Sequence, residues 1–263
     1  MLFELEPAMP EISLADITAL LPYLLIGFLA QAVDGALGMA FGVIVNTILV
    51  GFMGLPPALA STHVHIVKCF TSAASGLSHH FAGNIDFRLF IRLLFPGAIG
   101  GIIGAFLLSH VHGNFVQSIV LGYLLLIGIW LLIKGLRSSP EARAPKVVSI
   151  VGGVGGFLDA IGGGGWGPVV TSNLLIQGAE PRKVVGTVNS VEFFITVMIS
   201  AAFIFNLSIE NFVGPVIGLL LGGIIAAPIG AIVAKYFLPR LMLILVGIVL
   251  TIISAFAILQ EIL

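Results

Sequence analysis

Two glycine-rich segments, each opening with an aspartate, lie 125 residues apart in the chain. The first segment reads Asp34-Gly-Ala-Leu-Gly-Met-Ala-Phe-Gly42, and the second reads Asp159-Ala-Ile-Gly-Gly-Gly-Gly-Trp-Gly167. Each follows an apolar segment and precedes a short one, so each predicts a break between two helices. Glycine lets the backbone turn and lets a ligand approach it closely. The helix after each break begins with unpaired N–H groups and a positive dipole end. We expect the N–H groups around Gly38–Gly42 and Gly163–Gly167 to converge as an anion site.

The two aspartates, Asp34 and Asp159, have two interpretations. Each could carry a proton or help to bind a coupling cation, as ionisable groups at membrane depth often do. Each could instead hold its loop, because an aspartate before a helix start accepts backbone N–H groups. Their positions beside the breaks favour the loop-holding role.

A polar stripe follows the third apolar segment, with spacings of three and four residues that place it on one helical face. The stripe consists of Ser61, His65, Lys68, Ser72, Ser75 and His79. The eighth segment carries a weaker counterpart: Asn189, Glu192, Thr196 and Ser200. Aligning the two halves of the chain pairs His65 with Asn189 and Lys68 with Glu192. Such stripes face protein or water rather than lipid.

Lys68 is the strongest candidate for contact with an anion, because a buried charge costs about 2.5–3.5 kcal/mol or more in mid-membrane. Its rival role is a structural salt bridge to Glu192, Asp34 or Asp159. His65 is either a hydrogen-bonded helix histidine or an anion contact beside Lys68 with a proton-linked role. The neutral side chains of Thr187 and Asn189 would add hydrogen bonds to the bound anion. Glu192 and the two aspartates would set the local field or carry coupled protons.

A metal-dependent enzyme is a third hypothesis, built on His63, His65, His79 and Asp34. Histidines two residues apart on a helix point in different directions, which makes a poor metal site. No phosphate-loop signature follows either glycine run. We therefore expect no metal, no cofactor and no catalytic residue.

Composition makes this a membrane protein. Of its 263 residues, 59% are hydrophobic and 9% are charged, whereas a soluble domain carries about 25% charge. Its partners are therefore the lipid bilayer and a small solute, and the net charge of −1 gives no nucleic-acid footprint. The acidic N-terminus has no basic region that would indicate a signal peptide, so the first apolar helix is expected to remain as a span.

Ten apolar segments are present, five on each side of a polar loop at 136–146. They predict an all-α polytopic membrane protein with a first transmembrane repeat at 1–135, a linker at 136–146 and a second repeat at 147–263. The segments fall at 14–33, 39–54, 57–82, 87–110, 114–135, 147–160, 166–178, 182–206, 211–236 and 239–261. The segments at 39–54, 147–160 and 166–178 are short for a span, which suggests broken or re-entrant helices.

Lysine and arginine set the orientation, because cytoplasmic loops are enriched in them. Placing four loops in the cytoplasm, the central one included, puts ten of the eleven cations inside and both termini outside. The eleventh cation, Lys68, lies within a helix. Five segments is an odd number, so the two halves would be inverted repeats. Broken crossings and re-entrant dips give the same parity and stay open alternatives.

The second-half sequence Asp159-Ala-Ile-Gly-Gly-Gly-Gly-Trp-Gly-Pro168, followed by Gly186-Thr-Val-Asn-Ser-Val-Glu192, resembles the sulfite exporter TauE/SafE family of membrane permeases. Ser61-Thr-His-Val-His65, Ser75-Gly-Leu-Ser-His79-His and Gly83-Asn-Ile-Asp86 strengthen the resemblance, which covers nearly the whole chain. One departure is Lys68, at a position where the family pattern has an acid. It favours a fixed anion-binding cation over proton coupling there.

The resemblance implies movement of small sulfur-containing anions, such as sulfite or organosulfonates, across a bacterial-type inner membrane. The residues themselves support a polar or anionic substrate bound at the midplane by a transporter with alternating access. An anion channel is the alternative. The exact anion, the direction, the coupling ion and the oligomeric state, a homodimer included, stay open.

Overall fold

The computed structural model describes residues 14–49, 57–108, 114–137, 143–162, 164–206, 213–236 and 238–262. Over these residues the chain is α-helical, which confirms the all-α prediction. The helices are α1 (Leu14–Leu37), α2 (Phe41–Thr47), α3 (Pro57–Phe81), α4 (Phe87–Leu108), α5 (Asn114–Arg137), α6 (Val148–Gly162), α7 (Trp166–Ile176), α8 (Pro181–Asn206), α9 (Val213–Tyr236) and α10 (Pro239–Ile262).

Each apolar segment of the sequence corresponds to one of these helices, and the two helices that precede the breaks run further than expected. α1 continues past Asp34 to Leu37, and α6 continues past Asp159 to Gly162. Both aspartates therefore lie in the last turns of a helix rather than at the start of a break. Gly38 ends α1, with a left-handed φ of 72° and an N–H bond of 2.6 Å to the carbonyl of Asp34. This is a common way for a helix to stop.

Five helices of the described residues are long and apolar enough to cross a membrane. The qualifying stretches are Leu20–Leu37, Phe87–Leu107, Pro181–Ala202, Val216–Tyr236 and Leu243–Gln260. They make this a multi-pass membrane protein. α3 has 25 residues but is the least apolar of the long helices, because its polar stripe replaces lipid-compatible side chains. α6 and α7, with 15 and 11 residues, are each too short to cross a core of about 30 Å.

The most extensive helix packing joins one half of the chain to the other. α1 packs on α9, α4 on α6, α5 on α10 and α3 on α8. If each helix of the first half is matched with the helix at the same place in the second half, α1 corresponds to α6 and α4 to α9. The α1–α9 pair then corresponds to the α6–α4 pair, and the α3–α8 and α5–α10 pairs correspond to themselves. The two halves therefore interlock through matching sets of contacts.

Glycines bring these pairs into backbone contact. A Cβ atom at Gly222 of α9 would lie 2.0 Å from the carbonyl oxygen of Leu24 on α1. One at Gly156 of α6 would lie 2.0 Å from the carbonyl oxygen of Gly97 on α4. Real Cβ atoms do not approach an oxygen so closely, so only glycine fits. Small residues at helix crossings are the usual means of tight packing inside membranes. These crossings fix α3, α8 and the two breaks at the centre of the molecule.

Candidate functional site

The two helix breaks lie against each other. The hydroxyl of Thr171 in α7 donates to the carbonyl oxygen of Gly38 in the first break, at 2.7 Å. A Cβ atom at Gly164 in the second break would lie 2.6 Å from the carbonyl carbon of Gly42, at the start of α2. A Cβ atom at Gly167 would lie 2.7 Å from the oxygen of Gly38. Each break therefore contacts the first turn of the short helix in the other half. Gly163, which we expected to contribute to the site, lies outside the described residues.

Both aspartates reach across their breaks in the same way. Asp34 Oδ1 accepts the N–H of Phe41 at 3.2 Å, and Asp159 Oδ1 accepts the N–H of Trp166 at 2.9 Å. In each case the donor is seven residues further on and is the first residue of the short helix. The residues that directly precede these helices, Ala40 and Gly165, make no side-chain cap hydrogen bond. The carboxylate of the preceding helix takes the place of a local cap, which is the type of contact that a loop-holding role needs.

Asp34→Asn should keep the fold, whereas Asp34→Ala should weaken it. The asparagine carbonyl can still accept the Phe41 N–H, but alanine leaves that buried N–H without a partner, at a cost of about 1–3 kcal/mol. Unfolding of the purified protein in detergent measures both variants. Equal stability of the two variants would contradict the loop-holding contact.

His65 joins the polar stripe of α3 to the second break. Its Nδ1 lies 2.8 Å from the carbonyl oxygen of Ser61, so Nδ1 must carry the donated hydrogen. Its Nε2 lies 3.3 Å from Asp159 Oδ2. His65 therefore links Ser61 of α3 to the aspartate of the second break.

Lys68 lies at the centre of the site and forms an ion pair with Glu192 of α8. Its ammonium also interacts electrostatically with Asp159 and Asp34. Both ends of the ion pair are only 2–3% exposed at the side chain. We call Lys68, Glu192, His65, Asp34 and Asp159 the central cluster; all five are almost wholly buried.

Further contacts between α3 and α8 include hydrogen bonds between the two polar stripes. Ser75 Oγ donates to Asn189 Oδ1 at 2.9 Å, and Ser72 Oγ lies 3.5 Å from Thr196 Oγ1. The Nδ2 group of Asn189 reaches the carbonyl oxygen of Asp34 at 3.3 Å. His65 and Asn189, which the alignment of the halves pairs, thus each contact the aspartate of the opposite half. Asn189 borders the central cluster through its amide.

Thr187 makes its hydrogen bond outside the central cluster. Its Oγ1 accepts the N–H of Asp86, in the loop before α4, at 2.8 Å. This contact fixes the start of α8 to that loop and does not join Thr187 to the central cluster. Gly38, Gly42 and Gly167 lie in or beside the breaks, as expected.

Sequence reasoning missed the role of His79 and Asn84 at the far end of α3. His79 Nε2 lies 2.9 Å from the carbonyl oxygen of Gly35, and its Nδ1 accepts from Asn84 Nδ2 at 3.0 Å. The same amide group reaches the carbonyl oxygen of Ala231 on α9 at 3.1 Å. Both histidine nitrogens are used, so His79 anchors the residue after Asp34. The signal in the sequence was the continuation of the polar stripe of α3 to its last turn.

Sequence reasoning also missed two polar groups beside the central cluster. Within the described part of the chain, Gln31 Nε2 and Thr71 Oγ1 are buried without a hydrogen-bond partner. Gln31 lies one turn before Asp34 on α1, and Thr71 lies one turn after Lys68 on α3. Both border Gly223 of α9, where a Cβ atom would lie 2.4 Å from Thr71 Cγ2 and 3.7 Å from Gln31 Cβ. Buried polar groups without partners are rare and mark places where a ligand or water fits. Helical spacing from Asp34 and Lys68 indicates which residues lie near the central cluster, but not that these two lack hydrogen-bond partners.

Among the described residues, no group of three or more His, Cys, Asp and Glu side chains is arranged to hold a metal ion. The donors predicted for the metal-enzyme hypothesis are separated, since His65 contacts Asp159 while His79 contacts Gly35.

Known membrane transporters resemble this chain over most of its length. The chain is 42% identical over 252 residues to the probable membrane transporter protein YtnM of Bacillus subtilis (strain 168), a match that covers 92% of this chain and 83% of the relative. No solved structure matches the chain significantly. A model of the family described as sulfite exporter TauE/SafE matches residues 23–257. The family resemblance of the second glycine segment and of the motifs in α3 and α8 is thereby confirmed, and the chain belongs to the sulfite exporter TauE/SafE family of membrane transporters.

Proposed function

We propose that this transporter carries a small sulfur-containing oxyanion, such as sulfite or an organosulfonate, through the central cluster by alternating access. One observation carries the proposal: Lys68 is buried, and its ammonium interacts with the two aspartates that accept the first N–H groups of both half-helices. A buried ammonium next to two positive helix ends suits an oxyanion. Apolar solutes have no matching groups in this arrangement.

The charge of the central cluster shapes how an anion would bind. Three carboxylates face one ammonium, so the formal charge is −2 with a neutral His65 and −1 with an imidazolium. An anion entering such a site is repelled unless it replaces a carboxylate at the ammonium. Glu192 is the carboxylate in direct contact with Lys68. In our proposal the substrate displaces Glu192, which neutralises by taking up a proton, so that anion and proton move together.

Gln31 and Thr71 are the neutral groups that we assign to substrate. Their polar atoms are buried and unpartnered within the described residues, and an oxyanion has oxygens to accept from both. A site that hydrogen-bonds its substrate rejects analogues lacking the acceptor, because its own polar groups are then left unpaired. The family's sulfur anions carry three or more oxygens around one atom, which suits donors that approach from different helices.

The membrane orientation follows from the loops. We propose two inverted repeats, with the four cation-rich loops, including 136–146, in the cytoplasm and both termini outside. The bacterial-type inner membrane is the expected location. Exchange of the two halves preserves the main helix contacts, which is the relation that inverted repeats produce.

Counterflow in proteoliposomes tests the proposed function. Vesicles loaded with unlabelled sulfite should accumulate external radiolabelled sulfite transiently, because a carrier exchanges bound substrate across the membrane. Sulfoacetate inside the vesicles should drive the same uptake if organosulfonates share the site. Uptake should saturate with concentration and should respond to an imposed pH gradient.

Two outcomes would contradict the proposed function. Flux that is unsaturable and shows no counterflow would favour the channel alternative. Absence of counterflow for sulfite, thiosulfate, sulfoacetate and taurine would remove the sulfur-anion assignment. Gln31→Leu provides an internal check: it removes a buried unpartnered donor, so it should leave stability unchanged or raised while weakening the apparent affinity for sulfite.

A further inference from the structure

A basic cavity lies where the start of α4, the loop before α6 and the start of α8 meet. Its volume is about 430 Å³, and four cationic side chains line it: Arg88, Arg92, Arg143 and Lys183. We call it the basic vestibule. We propose that the basic vestibule binds oxyanions and supplies them to the central cluster.

The carboxylates that share the vestibule are engaged by other groups. Asp86 Oδ1 accepts the N–H groups of Arg88 and Leu89, at 2.9 and 3.1 Å, and so caps α4. Glu180 Oε1 lies 3.7 Å from the guanidinium of Arg182, which does not line the cavity. Among the described residues of the lining, four cations and two carboxylates give a formal charge of +2. A cleft lined by one sign of charge raises the local concentration of ions of the opposite sign.

Orientation in the membrane does not by itself explain this arrangement. The positive-inside rule needs cations somewhere in the short loops, but not gathered around one cavity from three separate parts of the chain. The gathering is held by specific contacts. Arg143 N–H donates to Gly178 O at 2.7 Å, Arg92 Nη2 donates to Lys146 O at 3.1 Å, and Lys183 Nζ donates to Gly83 O at 3.0 Å.

The vestibule borders the path to the central cluster through α8. Val184 lines the cavity, and the next residue, Val185, contacts Gly38 of the first break: a Cβ atom at Gly38 would lie 3.2 Å from Val185 Cα. Asn189, which contacts Asp34, is five residues further along α8 than Val184, or about 7.5 Å of helix axis. One helix thus forms the floor of the vestibule and a wall of the central cluster. The volume is large for a single small oxyanion, which suits collection rather than tight binding.

The ligand class is an oxyanion with a tetrahedral or pyramidal centre, and two sources supply it: the transported sulfur anion and the phosphate of a lipid headgroup. The assignment to the transported anion rests on the proposed function. The charged cavity itself can be tested without any transport assay.

The experiment places a cysteine in the vestibule and compares charged thiol reagents. Ala144 lines the cavity and is exposed, so Ala144→Cys, in a Cys69→Ala background, reports local electrostatics while keeping all four cations. Sulfonatoethyl methanethiosulfonate is anionic, and the trimethylammonioethyl reagent is cationic. The ratio of their labelling rates should fall several-fold at 0.15 M salt when Arg88→Gln and Arg92→Gln are added, because two charges that line the same cavity as the thiol are removed. The matched control, Arg137→Gln with Lys235→Gln, removes two exposed cations outside the lining and should leave the ratio unchanged.

Protection separates the two sources of oxyanion. Sulfoacetate should slow labelling of the Ala144→Cys protein in lipid-free detergent, at concentrations where chloride of equal ionic strength does not. Protection only by phosphatidylglycerol nanodiscs, with none by sulfoacetate, would overturn the proposal. A ratio of the two labelling rates that stays the same when Arg88 and Arg92 are replaced would also overturn it. If counterflow fails for every sulfur anion while sulfoacetate still protects the introduced thiol, the proposed function is wrong but oxyanion binding in the basic vestibule is supported.

Discussion

Lys68→Met is expected to abolish sulfite counterflow and to destabilise the protein. The substitution removes the buried ammonium and leaves Glu192 without its ion-pair partner. Breaking a buried pair from one side costs about 3–5 kcal/mol, because the remaining charge is uncompensated. Flux should drop by about 100-fold or more, on the scale of losing a buried charged contact worth a few kcal/mol. Counterflow in proteoliposomes and unfolding in detergent measure the two effects.

The double variant Lys68→Met with Glu192→Met separates structure from transport. Replacing both partners by apolar residues is often neutral or stabilising, so the double variant should regain most of the lost stability and still fail to transport. Wild-type flux in the stable double variant would reduce Lys68 to a structural role. Cys69→Ala is the matched control on the same helix, since Cys69 faces Ser200 at 3.3 Å and lies outside the central cluster.

Gly156→Ala is expected to destabilise the protein strongly. The added methyl group would meet the carbonyl oxygen of Gly97 at 2.0 Å, and that atom belongs to backbone that cannot move without separating α4 from α6. Overpacking of this kind costs about 1–3 kcal/mol or more. Titration with sodium dodecyl sulfate gives the free energy of unfolding in a membrane-like environment.

Gly122→Ala is the matched control in α5. No described atom lies within 4 Å of the added methyl group, and alanine favours the helix over glycine by about 0.5–1 kcal/mol. It should therefore be neutral or stabilising. Equal effects at both positions would show that helix propensity, rather than contact between α4 and α6, governs these glycines.

The fold could be predicted in large part because its signals are local. Hydropathy places each of the ten helices, and the glycine runs place both breaks. The exact ends were harder: α1 and α6 continue one turn past where polar aspartates suggested a stop. Helices end where the backbone turns, and in the first break Gly38, with its φ of 72°, makes that turn.

The central cluster could be predicted in part, since a charged residue within an apolar helix is rare and is visible in the sequence alone. The alignment of the two halves predicts that Lys68 and Glu192 are equivalent, and α3 packs on α8, so residues paired in this way can meet near the crossing. The unpartnered atoms of Gln31 and Thr71 were beyond reach, because satisfaction of a hydrogen bond depends on neighbours from other helices. The basic vestibule was missed for the same reason, as three distant segments build it.

The interlocked halves also constrain how the protein is made. α1 and α4 emerge early during synthesis, but their glycine-matched partners, α9 and α6, belong to the second half of the chain. The first five helices therefore enter the membrane with their closest packing surfaces still facing lipid, where inserted helices can persist before they assemble. The α1–α9 pair cannot form until translation has passed Tyr236, and the α5–α10 pair must wait for α10, which ends at Ile262. A nascent chain stopped at the central loop therefore has none of the four main helix pairs.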